Sequence, residues 1–595
     1  MFRKSLLSIL PLLFLLTAAF GQNAWRAKIS PQLLAAWERG EAADFLLIFR
    51  EKADWGFPRR GETKTERAYR VFGALQRNAE RSQAYARQLL REQDASANSL
   101  YVVNAIAVQG ADLRLAQMLA ALPEVSRLAP DPWVQFDGPV HEPLGPDDLA
   151  AVHPRSGIEW GLEKINAPTA WAAGFRGQGI TVGGADTGYE WGHPAIKPAY
   201  RGWNAAGGTA DHRYNWHDAI HSVSPLNGDT LNPCGFNART PCDDNNHGTH
   251  TMGTMTGDDG MGNQIGVAPG AKWVACRNME RGWGKPSSYL ECFQWFLAPT
   301  DLDGQNPAPQ MAPHVINNSW YCSFEEGCTD VSVNEMLREA VIALKASGVF
   351  VVVSNGNFGP SCGSTSGPPA YFEESFSVGS TRFNDTISGF SSRGPVLIDT
   401  SYRIKPNVSA PGSQVRSSIR GGGYANFSGT SMAGPHVAGL VALVLSARPD
   451  LAGRVELLEH LIEQTAVPFN DTIACGGVPG DARPNQAYGW GRVDAMAAVI
   501  AALAVPTDEP SGSGPLVQVL PNPVSDEAFF EVQGLGGAAS LQVYHSSGRM
   551  VAEKNWDAPA AYERPSVSLK GQPAGVYLYR LQSGTGGAAG WLLKQ

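Results

Sequence analysis

The sequence predicts an α/β protein whose central unit is a parallel β-sheet covered by helices on both faces. A small α/β unit precedes it and a small β-sandwich-like unit follows it. Three observations predict this. Between residues 154 and 505, short apolar or β-branched runs alternate with helix-compatible stretches, the pattern of parallel strands joined by helical crossovers. Residues 22–153 carry a β-α-β-α-β pattern, as in a two-layer α/β unit. Residues 516–595 alternate strand runs with turns and contain no helical stretch. A length of 595 residues suits three or four domains.

Taken in order, Arg3 and Lys4 precede an apolar run from Leu6 to Phe20, and Ala19-Phe20-Gly21 offers small residues at a cleavage position. Residues 1–21 therefore read as a signal peptide. The alternative, a membrane anchor, wants about 20 apolar residues; this run is shorter, and Ala497 to Val505 is shorter still. In the N-terminal unit, Asp44 to Phe49 reads as a strand and Glu66 to Arg91 as one long helix. Ser99 to Gln109 reads as extended, Asp112 to Ala121 as a second helix, and Ser126 to Phe136 as a last extended segment. A linker with Pro and acidic residues runs from Asp137 to Arg155. In the central unit, Ile180–Val182, Trp273–Ala275, Val315–Ile316 and Val349–Val353 are the strand candidates; Ser287–Leu297 and Val333–Ala346 are helices between them. A Pro/Gly/Ser linker spans 506–515.

Only 17% of residues are charged, Gly numbers 66 and the net charge is −9. That balance excludes the basic surfaces of nucleic-acid binders. The eight Cys all lie between 234 and 475, an even count behind a signal peptide, so disulfides confined to the central unit are expected. Spacing does not fix connectivity. Short-range pairing would give Cys234–Cys242, Cys276–Cys292 and Cys322–Cys328, leaving Cys362 with Cys475. A zinc site is the alternative, since His217 and His221 stand four apart and could share a helix face, but no Cys-x-x-Cys accompanies them.

Three segments carry chemistry. Gly179-Ile180-Thr181-Val182-Gly183-Gly184-Ala185-Asp186-Thr187-Gly188 is a buried-strand pattern delivering a carboxylate at its end. Asn245-Asn246-His247-Gly248-Thr249-His250 sets a His at a loop-to-helix junction. Ser428-Gly429-Thr430-Ser431-Met432-Ala433 sets a Ser before the apolar run from Val437 to Leu445, where a helix N-terminus can stabilise an oxyanion. The order Asp, His, Ser is one of the chain orders in which a nucleophilic triad is built. Taken singly, each residue reads as readily as a turn or a cap.

Asp-Thr-Gly at 186–188, His-Gly-Thr-His at 247–250 and Gly-Thr-Ser-Met-Ala at 429–433 resemble the signatures of the subtilisin-like serine proteases. The resemblance covers roughly 155 to 503, and the runs at 275–279 and 316–320 are most similar to its bacillopeptidase-F-like branch. It implies a subtilisin-like fold and a secreted serine endopeptidase, with Ser431 as nucleophile, His247 as base then acid, and Asp186 orienting His247. Val351 to Gly359 resembles the family's strand and loop whose Asn, here Asn357, lines the oxyanion hole. Ser319 matches the strand that contacts substrate backbone. Residues 22–153 resemble an inhibitor-type propeptide, and 516–595 a type IX secretion sorting domain. That domain would bring the export machinery in as a partner beside protein or peptide substrates, and would end at the cell surface or beyond. No cofactor is implied for the chemistry and no metal among the site residues.

Structural calcium is common in such proteins. Asp258-Asp259 and Asp243-Asp244 are candidate ligands, with solvated loop acids the blander reading. His250, His436 and His193 read as packing or turn residues. Competing readings are a binding protein on an inactive protease scaffold, which loss of Asp186, His247, Ser431 or Asn357 would favour, and an esterase, which would want Gly-x-Ser-x-Gly. For the C-terminal unit the competitor is a carbohydrate-binding or stability module. One departure stands out: 61 residues separate Asp186 from His247, and the stretch from Tyr200 to Asp243 carries two Cys and several aromatics.

Overall fold

The structure is a computed structural model. It describes residues 25–505 and 516–594, apart from 58, 60, 137, 141–156, 229–230, 323–327, 521–523, 525, 534, 536, 546–548, 558–561, 574 and 585. The signal peptide, most of the first linker, the second linker and the Pro521-Asn522-Pro523 and Ser547-Gly548 turns lie outside the described residues.

The N-terminal unit runs α1 (Pro31–Glu38), β1 (Ala43–Phe49), α2 (Lys64–Ser82), α3 (Ala84–Glu92), β2 (Ala97–Leu100), β3 (Ala105–Ala111), α4 (Leu113–Ala120), β4 (Val125–Pro130) and β5 (Val134–Gln135). Helix α2 starts on a reciprocal cap, in which Glu66 N bonds the Thr63 hydroxyl and Thr63 N bonds the Glu66 carboxylate. The sheet order is β2-β3-β1-β4, antiparallel throughout. Strand β1 is buried on both faces. Phe45, Leu47 and Phe49 fill the unit's own core, while Leu46 and Ile48 join the core of the central unit.

The expected long helix is two. Gln83 separates them, its amide drawn into the sheet by Asn104 Oδ1 (3.0 Å) and by the Ser99 hydroxyl (2.6 Å). The expected extended run 99–109 is broken at Asn104, which takes a left-handed backbone (φ 52°) and turns β2 into β3. Helix α1, capped by the Ser30 hydroxyl, adds to the elements the sequence predicts.

The central unit is built on β6 (Thr181–Asp186), β7 (Trp216–Asp218), α5 (His247–Thr256), β8 (Lys272–Arg277), β9 (Met279–Glu280), β10 (Trp283–Gly284), α6 (Pro286–Leu297), β11 (Val315–Asn318), α7 (Val331–Ala346), β12 (Phe350–Ser354), β13 (Phe376–Thr381), β14 (Val408–Pro411) and α8 (Thr430–Ala447). Seven strands form a parallel sheet in the order β7-β8-β6-β11-β12-β13-β14. Strand alternation feeds two cores. Phe350 and Val352 face the layer holding α8, and Val351 and Val353 face α6 and α7. These are the three layers the sequence predicts. Among the described residues, α8 alone is long and apolar enough to cross a membrane, and 89% of it is buried inside the protein. It is the core helix.

Four disulfides pair Cys234–Cys242, Cys276–Cys292, Cys322–Cys328 and Cys362–Cys475. The C-terminal unit stacks two antiparallel sheets over a core that includes Phe530, Leu541, Val543, Tyr577 and Leu581.

Candidate active site

In a parallel sheet the strands end along one edge, and the loops beyond that edge can bring together residues distant in sequence. Asp186 is the last residue of β6, His247 the first of α5, Ser431 the second of α8, and Ser319 follows β11 directly. Asn357 lies three residues beyond β12.

His247 Nδ1 bonds the Asp186 carboxylate at 2.7 and 2.9 Å, with both side chains buried. The carboxylate is fixed further by Thr187 N at 2.7 Å. An N–H at Nδ1 leaves Nε2 with its lone pair, and Nε2 is buried with no hydrogen-bond partner. The Gly after His247 is a packing requirement, because a methyl on Gly248 would overlap the Gly188 carbonyl oxygen. Asp243 holds this corner together, accepting from the Thr187 hydroxyl (3.0 Å) and from the N–H and hydroxyl of Thr249 (3.0 and 2.6 Å).

The Ser431 hydroxyl donates to the Ser319 carbonyl at 3.2 Å. The Ser319 hydroxyl in turn donates to the Ser431 carbonyl at 2.9 Å and accepts from Asn317 at 2.8 Å. The side chain of Ser319 thus ties β11 to the start of α8. Asn357 Oδ1 accepts from Thr430 N (2.9 Å) and the Thr430 hydroxyl (2.8 Å), which turns Nδ2 away from Thr430. A methyl placed on Gly429 would lie 3.6 Å from Asn357 Nδ2 and 3.7 Å from Ser431 N, so both donors border one small space.

The three histidines read as packing or turn residues have such partners. His250 stacks on Phe427 and reaches the Val415 and Ala425 carbonyls through Nε2 (both 3.1 Å), and burial pushes its pKa down to about 3. His436 Nδ1 donates to the Met432 carbonyl (2.8 Å), and burial lowers its pKa to about 4. His193 bonds the Gly423 carbonyl through Nε2 (2.9 Å) and takes Ala195 N on Nδ1 (3.1 Å).

His217 and His221 do not share a helix face. The first is in β7 and the second in the loop after it, and both turn Nε2 onto Glu291 of α6 (2.8 and 2.9 Å). Among the described residues, no group of three or more His, Cys, Asp or Glu is placed to hold a metal ion. The acids named for calcium are occupied and are not solvated loop acids throughout. Asp243 and Asp244 are buried. Asp259 takes the Met261 and Asn263 N–H groups, the Asn263 amide and the Tyr424 hydroxyl. Asp244 takes Arg281 N and Arg277. The carboxylates of Asp244 and Asp259 thus already face N–H and O–H donors.

One part of the site was not legible beforehand. Strand β5 pairs antiparallel with β10, extending the β9–β10 hairpin to three strands. Phe136 N continues the pairing to the Gly282 carbonyl (2.7 Å), and its ring meets the His247 ring edge-on at 4.4 Å. Val134 is buried in the same core as Tyr289 and Trp320. Further along, Val140 N donates to the Ser428 carbonyl (2.7 Å), three residues before Ser431. The last extended run of the N-terminal unit therefore lies across the site. In the sequence, the run from Phe136 to Val140 gives no hint of this long-range pairing.

With this geometry established, comparison with known proteins gives two family matches. Residues 177–491 match the Subtilase family, and residues 518–590 match the Secretion system C-terminal sorting domain. Bacillopeptidase F of Bacillus subtilis (strain 168) is 36% identical over 502 residues, covering 80% of this chain and 32% of that protein. Subtilisin Savinase of Lederbergia lenta is 30% identical over 342 residues, 57% of this chain and 98% of that protein. Subtilisin DY of Bacillus licheniformis is 29% identical over 321 residues, 54% of this chain and 95% of that protein. The chain spans about a third of the length of the bacillopeptidase F it matches.

Proposed function

Because this chain belongs to the subtilase family, we propose that it is a secreted serine endopeptidase that cuts peptide bonds through an acyl-enzyme and is made as a zymogen. The observation that carries the reading is the buried Asp186–His247 pair, which leaves Nε2 as a free base on α5, the helix that packs against α8. Ser431 turns from the Ser319 carbonyl toward Nε2, gives up its proton and attacks the scissile carbonyl carbon. Asn357 Nδ2 and Ser431 N take the oxygen of the tetrahedral intermediate, each donor contributing about 3–4 kcal/mol of barrier. His247 returns the proton to the leaving amine. Water, activated by the same nitrogen, then releases the acyl group.

The zymogen reading rests on β5 and Phe136. A strand added to the edge of the β9–β10 hairpin is how an extended polypeptide docks, and here the N-terminal unit occupies that edge itself. We read residues 22–153 as an inhibitory propeptide, 154–505 as the peptidase domain, 506–515 as a linker, and 516–595 as a type IX sorting domain directing export to the cell surface or the exterior, supported by the sorting-domain match.

A sulfonyl fluoride tests the nucleophile. Phenylmethylsulfonyl fluoride is expected to abolish hydrolysis and to add its mass to the peptide containing Ser431. Labelling of a different Ser, or full activity in Ser431→Ala, overturns the assignment.

A further inference from the structure

The hairpin that accepts β5 is short, and its turn uses two residues with positive φ, Arg281 (50°) and Gly282 (88°). Two short strands hold little by themselves. What steadies the hairpin comes from the stretch between Tyr200 and Asn246. Glu280, the last residue of β9, has 0% of its surface exposed. Its carboxylate accepts from Ser224 N (3.0 Å), from the Asn227 amide and from Arg281 Nε (2.9 Å). Ser224 is itself buried. Arg281 N donates to Asp244 Oδ1 (2.8 Å), and Asp244 is reached by Arg277 (3.4 Å). The Cys234–Cys242 disulfide closes the same stretch.

We propose that Glu280 is a positioning residue: it locks the substrate-pairing hairpin to the inserted loop at 220–246, and so sets how tightly extended polypeptides, but not short substrates, are held. The argument rests on the peptidase reading of the site. Glu280 touches neither Asp186, His247 nor Ser431 through any bond described above. Its carboxylate fixes the strand whose neighbour, Gly282, offers the carbonyl that Phe136 N takes. A substrate long enough to add a strand meets that edge, whereas a single-residue ester meets only the reacting groups. Removing this buried carboxylate takes one acceptor from all three donors. A hydrogen bond to a charged group contributes about 1.5–3 kcal/mol, or roughly 10- to 150-fold in an equilibrium.

The test compares Glu280→Ala, Glu280→Asp and Asn227→Ala in the self-processed enzyme on two substrates. One is a blocked tyrosine ethyl ester and the other a blocked tetrapeptide p-nitroanilide. Glu280→Ala is expected to lower kcat/KM on the tetrapeptide by about 30-fold, mostly through KM, while changing the ester by no more than about twofold. Glu280→Asp should recover part of the loss. Asn227→Ala removes one donor from the loop side and should shift the tetrapeptide in the same direction by about threefold to tenfold, which covers the case in which Glu280→Ala does not fold. Equal losses on both substrates, or no loss on the tetrapeptide in either folded variant, overturn the proposal. An unaltered enzyme that hydrolyses neither substrate refutes the peptidase reading instead.

Discussion

Ion pairs such as Lys285–Asp131 and Arg127–Asp330 cross between the N-terminal unit and the central unit, and two further polar patches of this joint have opposite charge plans. At one, Lys64 at the start of α2 donates to the Ala312 carbonyl (3.0 Å) in a neighbourhood of bases, Arg201 and His314. Arg201 is held by Asn215 Oδ1 (2.6 Å), the Met311 carbonyl (2.8 Å) and the Tyr214 carbonyl, and none of these is an anion. At the other patch, Glu291 is paired with His217 and His221 of its own unit, and the N-terminal unit adds only a neutral amide, Asn98 Nδ2 (2.7 Å). The difference concerns which charges cross the joint. Charges paired within one unit stabilise that unit's fold. A cation carried across into basic surroundings makes the joint itself depend on pH.

The sharpest handle on this comparison is a chain that keeps both patches joined. Ser431→Ala is expected to lower kcat by about 10⁶-fold, the loss seen when a triad nucleophile is removed, and to retain the propeptide, residues 22 to about 150. The active protein should lose them by self-cleavage between about Pro139 and Glu159. Intact-mass measurement of both proteins decides this. Processing of the Ala protein in a host without other proteases would show that maturation is not self-catalysed.

Next in size is Glu291. Burial alone would push its pKa up, but the hydrogen bonds from His217 and His221 outweigh that and bring it to about 2. For His221 burial acts downward and is outweighed by the Glu291 hydrogen bond and charge, so its pKa is raised. Stability from the carboxylate is therefore present above about 4.5 and lost as pH falls through 2. Stability from His221 is present below 6.5 and lost as pH rises through its folded value. Glu291→Gln should destabilise the central unit by roughly 1–3 kcal/mol, since the histidines are partly exposed. That corresponds to a Tm about 3–8 °C lower. The measurement is made on Ser431→Ala at pH 6. A loss seen only when the N-terminal unit is attached would break the contrast, because it would move this pairing across the joint.

The Lys64 patch should show the smaller but pH-linked effect. Burial, and then Arg201, lowers the pKa of half-buried Lys64 from 10.5 to about 7. Docking the unit thus releases a proton. The penalty is absent above about 10.5, grows as pH falls, and is complete below about 7. Burial and then Lys64 lower His314 to about 3, which extends the same sense below 6.5. In a Ser431→Ala chain nicked between 137 and 155, the rate at which the N-terminal unit dissociates should rise about threefold to tenfold from pH 9.5 to 7. Each titrating group allows tenfold per pH unit at most. Lys64→Met should flatten that slope and slow dissociation. A slope unchanged in Lys64→Met removes Lys64 from the account.

How much of this was written in the sequence follows a physical rule. Asp186, His247, Asn357 and Ser431 each sit among small residues that close approach demands, so their local patterns are distinctive even without the fold. The strands whose residues alternate between two apolar cores, such as 350–354, were legible for the same local reason. Strand β7, with Trp216, His217 and Asp218, has no apolar run to reveal it, and the expected shared helix face for its histidine dissolved with it. The break at Gln83 depends on Asn104 and Ser99, which lie 16 to 21 residues away. The docking of β5, the buttress at Glu280 and both patches of the joint are long-range pairings, and single-sequence periodicity carries no information about them.

The C-terminal unit supplies the control with the smallest expected effect on chemistry. Leu578 packs against the core that holds α8, an apolar contact remote in kind from either charged patch. Among the described residues, the unit brings none to Asp186, His247, Asn357 or Ser431. Truncation after Val505 should therefore leave peptide hydrolysis in vitro within about twofold and leave the pH slope of dissociation at the Lys64 patch unchanged. Routing should change instead. In a host with type IX secretion the truncated protein should stay in the periplasm, and a reporter carrying the signal peptide and residues 516–595 should reach the surface or the medium. If the unit instead served to bind substrate, truncation would weaken cleavage of large or insoluble substrates with export intact. Fractionating the culture while assaying a short peptide and an insoluble protein side by side separates the two outcomes.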